Sequence, residues 1–338
     1  MFGKNRYNIV LPVVAILAFS FYFQSCTQKE EVALQKPQTE ESLFSKYLEN
    51  ITQRITLNDL GEGTYYAEGK EGTIVRIKDA LVNDKGERVR GQLELELIEI
   101  YTPSDMVLAR KQTLADYDGV STLLESGGEI FVKVYQDGQE VKPDGQGQMS
   151  LLLPTENTGG PRENMELYYG QEVGEQVIWK PTGQKVPVVS DGLRSDPSRY
   201  LVEIGNILGW INVDIVYNGQ GTLLDCIGIE HECDIPCDVV SVAAAVYINS
   251  LNSAFELMDV GGNSFQLCDP DGGGAMPLGG LQATFILIYE CADGSVFTYF
   301  NTVQLNNNGG SHIEVVPCGN FRQMSYEDVI SAIHSLLP

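Results

Sequence analysis

Histidine, tryptophan and positive charge are all scarce in this chain. Its 338 residues include three histidines, His231, His312 and His334, and two tryptophans, Trp179 and Trp210. No histidine lies in the paired helical pattern of a zinc protease, and no Gly-x-Ser-x-Gly nucleophile elbow occurs. Lysine and arginine number 22 against 46 acidic residues. The imbalance is steepest over residues 201–338, where 16 Asp and Glu face a single base, Arg322. Phosphate backbones are held by basic clusters that release counterions, so this half repels nucleic acid and anionic lipid. Cationic partners or calcium remain compatible with it. Residues 27–225 contain no cysteine, which excludes a disulfide framework for that stretch.

What is present first is an address. Lys4 and Arg6 precede an apolar run at residues 9–23, which is shorter than the roughly 20 residues a spanning helix needs. A basic start, a short apolar core and a small residue describe a secretory signal over residues 1–25. Ser25 followed by Cys26 resembles the lipobox of bacterial lipoproteins, although Phe23 and Gln24 depart from its usual leucine. That resemblance implies cleavage before Cys26 and acylation of its thiol; an ordinary signal with a chance cysteine is the bland alternative. Lys29, Glu30 and Glu31 are similar to a lipoprotein export signal of one Gram-negative phylum. The similarity implies an outer-membrane address facing the cell exterior, against the plainer reading of a charged tether. Residues 26–50 then form an acylated, polar tether. Without the signal the chain keeps 20 basic and 46 acidic residues, net −26.

The six other cysteines, Cys226, Cys233, Cys237, Cys268, Cys291 and Cys318, all fall in the second half. An even number outside a reducing compartment predicts three disulfides, whose pairing sequence does not choose. Zinc held by Cys226, His231, Cys233 and Cys237 is the rival reading, weakened by the lack of a Cys-x-x-Cys knuckle.

Period-two alternation is the strongest local pattern. Leu93, Leu95 and Leu97 alternate with Glu94 and Glu96, and Ile130, Val132 and Val134 repeat the motif. Asp137-Gly138 and Asp293-Gly294 predict tight hairpins, and residues 83–86 another turn. Residues 200–217 read as extended. Leu43, Tyr47 and Ile51 carry helical spacing, and Ser325 with Asp328 opens a capped C-terminal helix whose apolar face is Val329, Ile330, Ile333, Leu336 and Leu337. The expectation is an all-β protein of two immunoglobulin-like β-sandwich domains with a short C-terminal helix, the domains at 51–190 and 198–338.

Residues 72–81, Gly-Thr-Ile-Val-Arg-Ile-Lys-Asp-Ala-Leu, resemble the opening of the ZU-five β-sandwich shared by ankyrins, netrin receptors and a tight-junction scaffold. The resemblance covers about a third of the first domain. It implies a non-enzymatic interaction module; the His-Phe-Ser site at which some members cleave themselves is absent. Residues 165–170 and 208–212 are similar to segments of surface lipoproteins carrying this module, a similarity that names no activity.

Catalytic and metal patterns are fragmentary. Residues 63–70 resemble a phosphate loop, but Glu71 stands where Ser or Thr binds magnesium. Residues 116–119 and 269–272 resemble pieces of calcium loops and read better as turns. A dispersed carboxylate pair for glycoside cleavage is set by the fold and not by spacing. Three functions follow: a lipid-anchored surface binding or scaffold protein without catalytic activity, a glycan-binding accessory lipoprotein using Trp179 and Trp210, or a carboxylate-dependent hydrolase. The first calls for no cofactor or metal, a membrane reached only through the N-terminal lipid, and a protein or glycan partner.

Overall fold

In a computed structural model, the protein is described over residues 42–117, 120–173, 176–190, 198–205, 208–219, 221–268 and 276–337. Cys26, Lys29, Glu30 and Glu31 lie outside these residues. Strands dominate what is described, so the chain is all-β in class, with three α-helices.

Among the described residues four larger sheets stack in two facing pairs, and Thr222–Leu224 with Met276–Gly279 forms a fifth, two-stranded sheet. The first sheet runs, in spatial order, through Gln53–Leu57, Leu93–Ile100, Val120–Gln136, Gly209–Val216, Glu166–Val173, Gln176–Lys185 and Leu114–Tyr117. It faces a second sheet ordered Val188–Ser190, Ser198–Ile204, Gln148–Pro154, Ile74–Lys78 and Thr64–Glu68. Leu95, Leu97, Ile130 and Val132 meet Val75, Ile77, Leu151 and Val202 between them. A third sheet, ordered Ser253–Glu256, Val239–Ile248, Gln282–Cys291, Val296–Gln304 and Arg322–Met324, faces a fourth of Met258–Gly261, Ser264–Cys268, Cys226–Glu230 and Ser311–Val315. Val246, Phe285 and Leu287 fill that second core against Ile227, Ile229 and Phe265.

A third core joins the pairs. The outer face of the first sheet, through Phe131, Tyr168, Trp179 and Trp210, packs into one cluster with Ala243, Ala245, Ile286 and Ile288 of the third sheet. Three helices wedge into this seam. Helix α1, Leu43–Ile51, is capped by Ser42, whose Oγ accepts from the Ser45 amide, and buries Leu43, Phe44 and Tyr47. The Leu43 amide also donates to both oxygens of Glu290 in the third sheet, at 3.0 and 3.1 Å, which meets the positive end of the helix with a carboxylate. Helix α2, Pro103–Leu108, has Thr102 as its cap and proline in its first turn. Helix α3, Tyr326–Leu336, starts at Ser325 and buries Val329 and Ile333, with Leu337 buried just beyond it, while Leu336 stays 40 % exposed.

Two expectations are corrected here. The tether was expected to reach residue 50, yet residues 43–50 are docked helix. The domain boundary was expected at residues 190–198, yet the strands after it return to the first half. Ser198–Ile204 pairs with Gln148–Pro154 in the second sheet, and Gly209–Val216 lies between Val120–Gln136 and Glu166–Val173 in the first. The run 200–217 is therefore two strands in opposing sheets, with Gly209 at a φ of 128° that a side chain would strain. Residues 40–338 cluster as one compact unit.

A shared seam has a thermodynamic signature. A single calorimetric unfolding transition, with calorimetric and van't Hoff enthalpies in agreement, is expected for the segment from residue 40 onward. Two resolved transitions would mean that the seam is too weak to couple the sheet pairs.

Candidate functional site

The seam opens to solvent as a groove of four depressions that share walls. The first, 560 Å³, lies between α1 and the first sheet, bounded by Leu48, Glu49, Arg54 and Glu96. Trp210 and Glu172 belong both to it and to the second, of 220 Å³. Arg110 and Gln176 pass from the second into a third of 290 Å³. Val242, Asp259 and Phe265 are common to the third and to a fourth of 370 Å³, which ends beside Cys233.

Local backbone geometry sets the middle of this groove. Helix α2 ends in a Schellman arrangement, with the Lys111 amide donating to Met106 O at 2.8 Å and the Arg110 amide to Val107 O at 3.2 Å. Arg110 occupies the left-handed position, φ 54°, where glycine is usual, at a strain of about 1 kcal/mol. The reversal sends successive side chains apart. Arg110 reaches across the seam to Glu256, Nε to Oε1 at 2.9 Å and an outer nitrogen to Oε2 at 3.2 Å, and Gln176 donates to the same carboxylate. Lys111 turns the other way, its Nζ 5.0 Å from the centre of the Trp210 ring, whose Nε1 donates to Glu172 at 3.1 Å. Burial pulls the Lys111 ammonium below its ordinary pKa, opposed by Glu129, Glu172 and Glu256.

Behind Lys111 lies a sealed polar nucleus. Glu129 and Asp214 are fully buried. Burial raises the Glu129 carboxyl well above the usual range, the neighbouring Asp214 adds to this, and Lys111 opposes it. Neither Glu129 oxygen has a hydrogen-bond partner among the described residues. Burial likewise pushes Asp214 up to about 8, partly offset by hydrogen bonds, that from Asn212 Nδ2 at 2.6 Å among them. Two buried carboxyls with raised pKa in one core resemble an acid–base pair, but neither lines any of the four depressions. Beyond the groove, the three helices converge on a second polar cluster. Tyr47 of α1 donates to Asp105 of α2, and His334 of α3 sits 3.5 Å from the same carboxylate.

No family model, curated protein or solved structure matches the chain. The site is therefore read from its own geometry.

The residues singled out by sequence fall as follows. The six cysteines pair as Cys226–Cys268, Cys233–Cys318 and Cys237–Cys291, which disperses the set considered for zinc. His231 is occupied elsewhere: Nε2 lies 2.5 Å from the Tyr289 hydroxyl and Nδ1 accepts from the Cys233 amide. Alkylation without reductant should leave all six thiols unlabelled, and stoichiometric zinc uptake would contradict these pairings. Trp179 and Trp210 were considered as sugar platforms, but they are 0 % and 4 % exposed, and Trp179 Nε1 donates to Gln112 O at 2.6 Å. Both are seam residues.

The loop resembling a phosphate cradle is filled from within. Glu99 accepts from the Glu71 and Thr73 amides at 3.0 and 2.8 Å, and a Cβ on Gly69 would fall 2.3 Å from that carboxylate. Asp116 pairs with Lys180, whereas residues 118–119 and 269–272 lie outside the described residues. The segment 72–81 forms the strand Ile74–Lys78 and then breaks at Asp79, φ 47°, before Leu81–Val82 pairs elsewhere. Sequence reasoning missed Arg110, Lys111, Glu129, Glu172 and Asp214. The one available signal was Glu129 beside Gly127-Gly128, a break in an otherwise regular strand.

Among the described residues no helix is long and apolar enough to cross a membrane, and no group of three or more His, Cys, Asp or Glu is placed to hold a metal ion.

Proposed function

We propose that this protein is a lipid-anchored binding protein of the bacterial envelope, attached through Cys26 and holding its ligand along the seam groove. The carrying observation is the continuity of that groove across both sheet pairs, since neighbouring depressions share Trp210 and Glu172, then Arg110 and Gln176, then Val242 and Asp259. Ligand sites favour such junctions between packed units. A paired Arg110–Glu256 bridge and the capped helices α1 and α2 pre-organise its walls, which lowers the ordering cost of binding. The two buried carboxyls are sealed away from the groove, so the reading is non-catalytic. The ZU-five resemblance and an immunoglobulin-like sandwich description of the two sheet pairs agree with an interaction module, although fold alone names no partner. Lys29, Glu30 and Glu31 support display on the outer face of the outer membrane.

A photocrosslinking residue at Leu48, in the acylated protein on intact cells, tests the reading. Crosslinking to a discrete envelope component, competed away by excess purified protein, is expected. Absence of any adduct, or turnover of a glycan or peptide abolished by one carboxylate substitution, would overturn it. Mass spectrometry of the mature N-terminus tests the anchor, and an unmodified start at another residue would remove it.

A further inference from the structure

The third sheet lacks a strand along part of one edge. Ser253–Glu256 pairs with Val239–Ile248 only at residues 245–248. At Leu257, whose amide donates to Ala244 O at 2.8 Å, the chain leaves and crosses to the fourth sheet as Met258–Gly261. Residues 239–243 are thus left without a neighbour on that side among the described residues. Their sequence, Val-Val-Ser-Val-Ala, is β-prone and uncharged, and carries neither the lysine nor the proline that usually guards an open edge. Its one irregularity is a register shift between Val239 and Ser241 against the inner neighbour.

The facing wall is open as well. Met258–Gly261 is the outer strand of the fourth sheet and is exposed throughout. Val240, Met258 and Val260 are 62 %, 58 % and 59 % exposed; Met258 lines the 290 Å³ depression, and Val240 and Val260 adjoin in sequence the lining residues Val239 and Asp259. Asp234 and Asp259 line the larger one, with no basic residue among its walls.

We infer that this slot receives an extended, basic peptide segment as an added strand beside residues 239–243. Main-chain pairing with an open edge supplies affinity, and alternate side chains face the depression. About five residues fit, since a strand advances roughly 3.3 Å per residue. Lysine or arginine on the peptide would meet Asp234 and Asp259. The inference rests on the groove reading and names the ligand class for one end of the groove.

The test uses the mature protein and three synthetic nine-residue probes: an alternating valine–lysine peptide, its valine–glutamate counterpart, and the lysine peptide with alternate amides N-methylated. The lysine peptide should bind by fluorescence anisotropy, weaken with added salt, and slow hydrogen exchange at amides within 239–243. The glutamate and N-methylated probes should not bind. Asp234→Asn with Asp259→Asn should lower affinity about ten-fold at low salt. The asparagine at 259 retains an acceptor for the Gly261 amide, so the strand itself is kept. Equal binding of the glutamate peptide, no protection at 239–243, or no binding of the lysine peptide would each overturn the inference. A Leu48 adduct on cells alongside any of these results leaves the groove reading standing; loss of both removes it too.

Discussion

Asp214→Asn should raise the unfolding temperature at pH 8 and remove a loss of stability that otherwise grows as pH rises towards 8. The folded protein holds the Asp214 proton up to about pH 8, while the unfolded chain releases it near 3.8. Between those values the folded state binds one more proton than the unfolded state. Stability therefore falls as pH rises, by up to about 1.4 kcal/mol per pH unit from this group, and levels off above 8. Glu129, raised well above its ordinary value by burial, adds to the same slope.

Two other effects act at lower pH and near neutrality. Ordinary carboxylates complete their titration near pH 4 to 5. Burial lowers the pKa of His231 and His312, so near neutrality the unfolded histidines, with midpoints near 6.5, still hold protons that the folded ones have released. This contribution to stability rises with pH until about one unit above that midpoint. Wild type and Asp214→Asn share the histidine contribution, so over a window of about pH 6.5 to 8 the difference between their slopes isolates the buried carboxyl. Glu129→Gln should flatten the slope as well, and Glu129→Met should add stability, because the present side chain leaves two buried oxygens unpaired. Denaturant midpoints measured across that window decide the matter. An Asp214→Asn variant whose pH profile parallels that of the wild type would show that the Asp214 carboxyl is hydrated in solution.

The same residues explain where sequence reading stops. Alternation placed Leu93, Leu95, Leu97, Ile130, Val132 and Val134 in a core, and all six are buried there. Both Asp-Gly pairs turn as expected: Gln136 pairs with Gln139 around Asp137-Gly138, and Glu290 with Val296 around Asp293-Gly294. The Ser325 cap and the buried Val329 and Ile333 were legible for the same reason, being local. Alternation, however, assigns one face to water. Phe131 and Glu129 sit on that second face, and so does Trp210 on the adjacent strand, yet the third sheet and the helices cover it. Nothing local in the first half reports a cover supplied by residues about a hundred positions later. The boundary failed for a related reason, since an extended run looks the same whether its two strands join one sheet or two. Arg110 in a glycine's position was hidden too, because only the folded seam supplies the Glu256 partner that offsets its strain.

Replacing Cys233 and Cys318 together by alanine should be the most damaging of the three paired cysteine substitutions. Their bond closes a loop of 85 residues, against 54 for Cys237–Cys291 and 42 for Cys226–Cys268. In the chain-entropy account a loop of that length contributes about 4–5 kcal/mol by restricting the unfolded chain. Loop length alone separates the longest from the shortest by only about 0.6 kcal/mol per doubling. Position widens the gap. Cys226 and Cys268 are directly opposed across two hydrogen-bonded strands, so the ladder holds them together without the bond. Cys233 instead follows His231 and is buried against the aromatic cluster of His231, Tyr289 and Phe321, and its partner Cys318 lies beyond the edge strand of the fourth sheet. The bond acts with the Val316 amide's hydrogen bond to Glu230 O and the ring contacts of Phe321 in holding the segment after Val315 to that cluster. The loss should lower the melting temperature by roughly 10 °C, at about 2 °C per kcal/mol for a unit this large. It should also loosen the wall shared with the 370 Å³ depression, which Cys233 lines. Thermal melts of the three double-alanine variants give the ranking, and a Cys226/Cys268 variant less stable than the Cys233/Cys318 one would reject this account of what the long loop contributes.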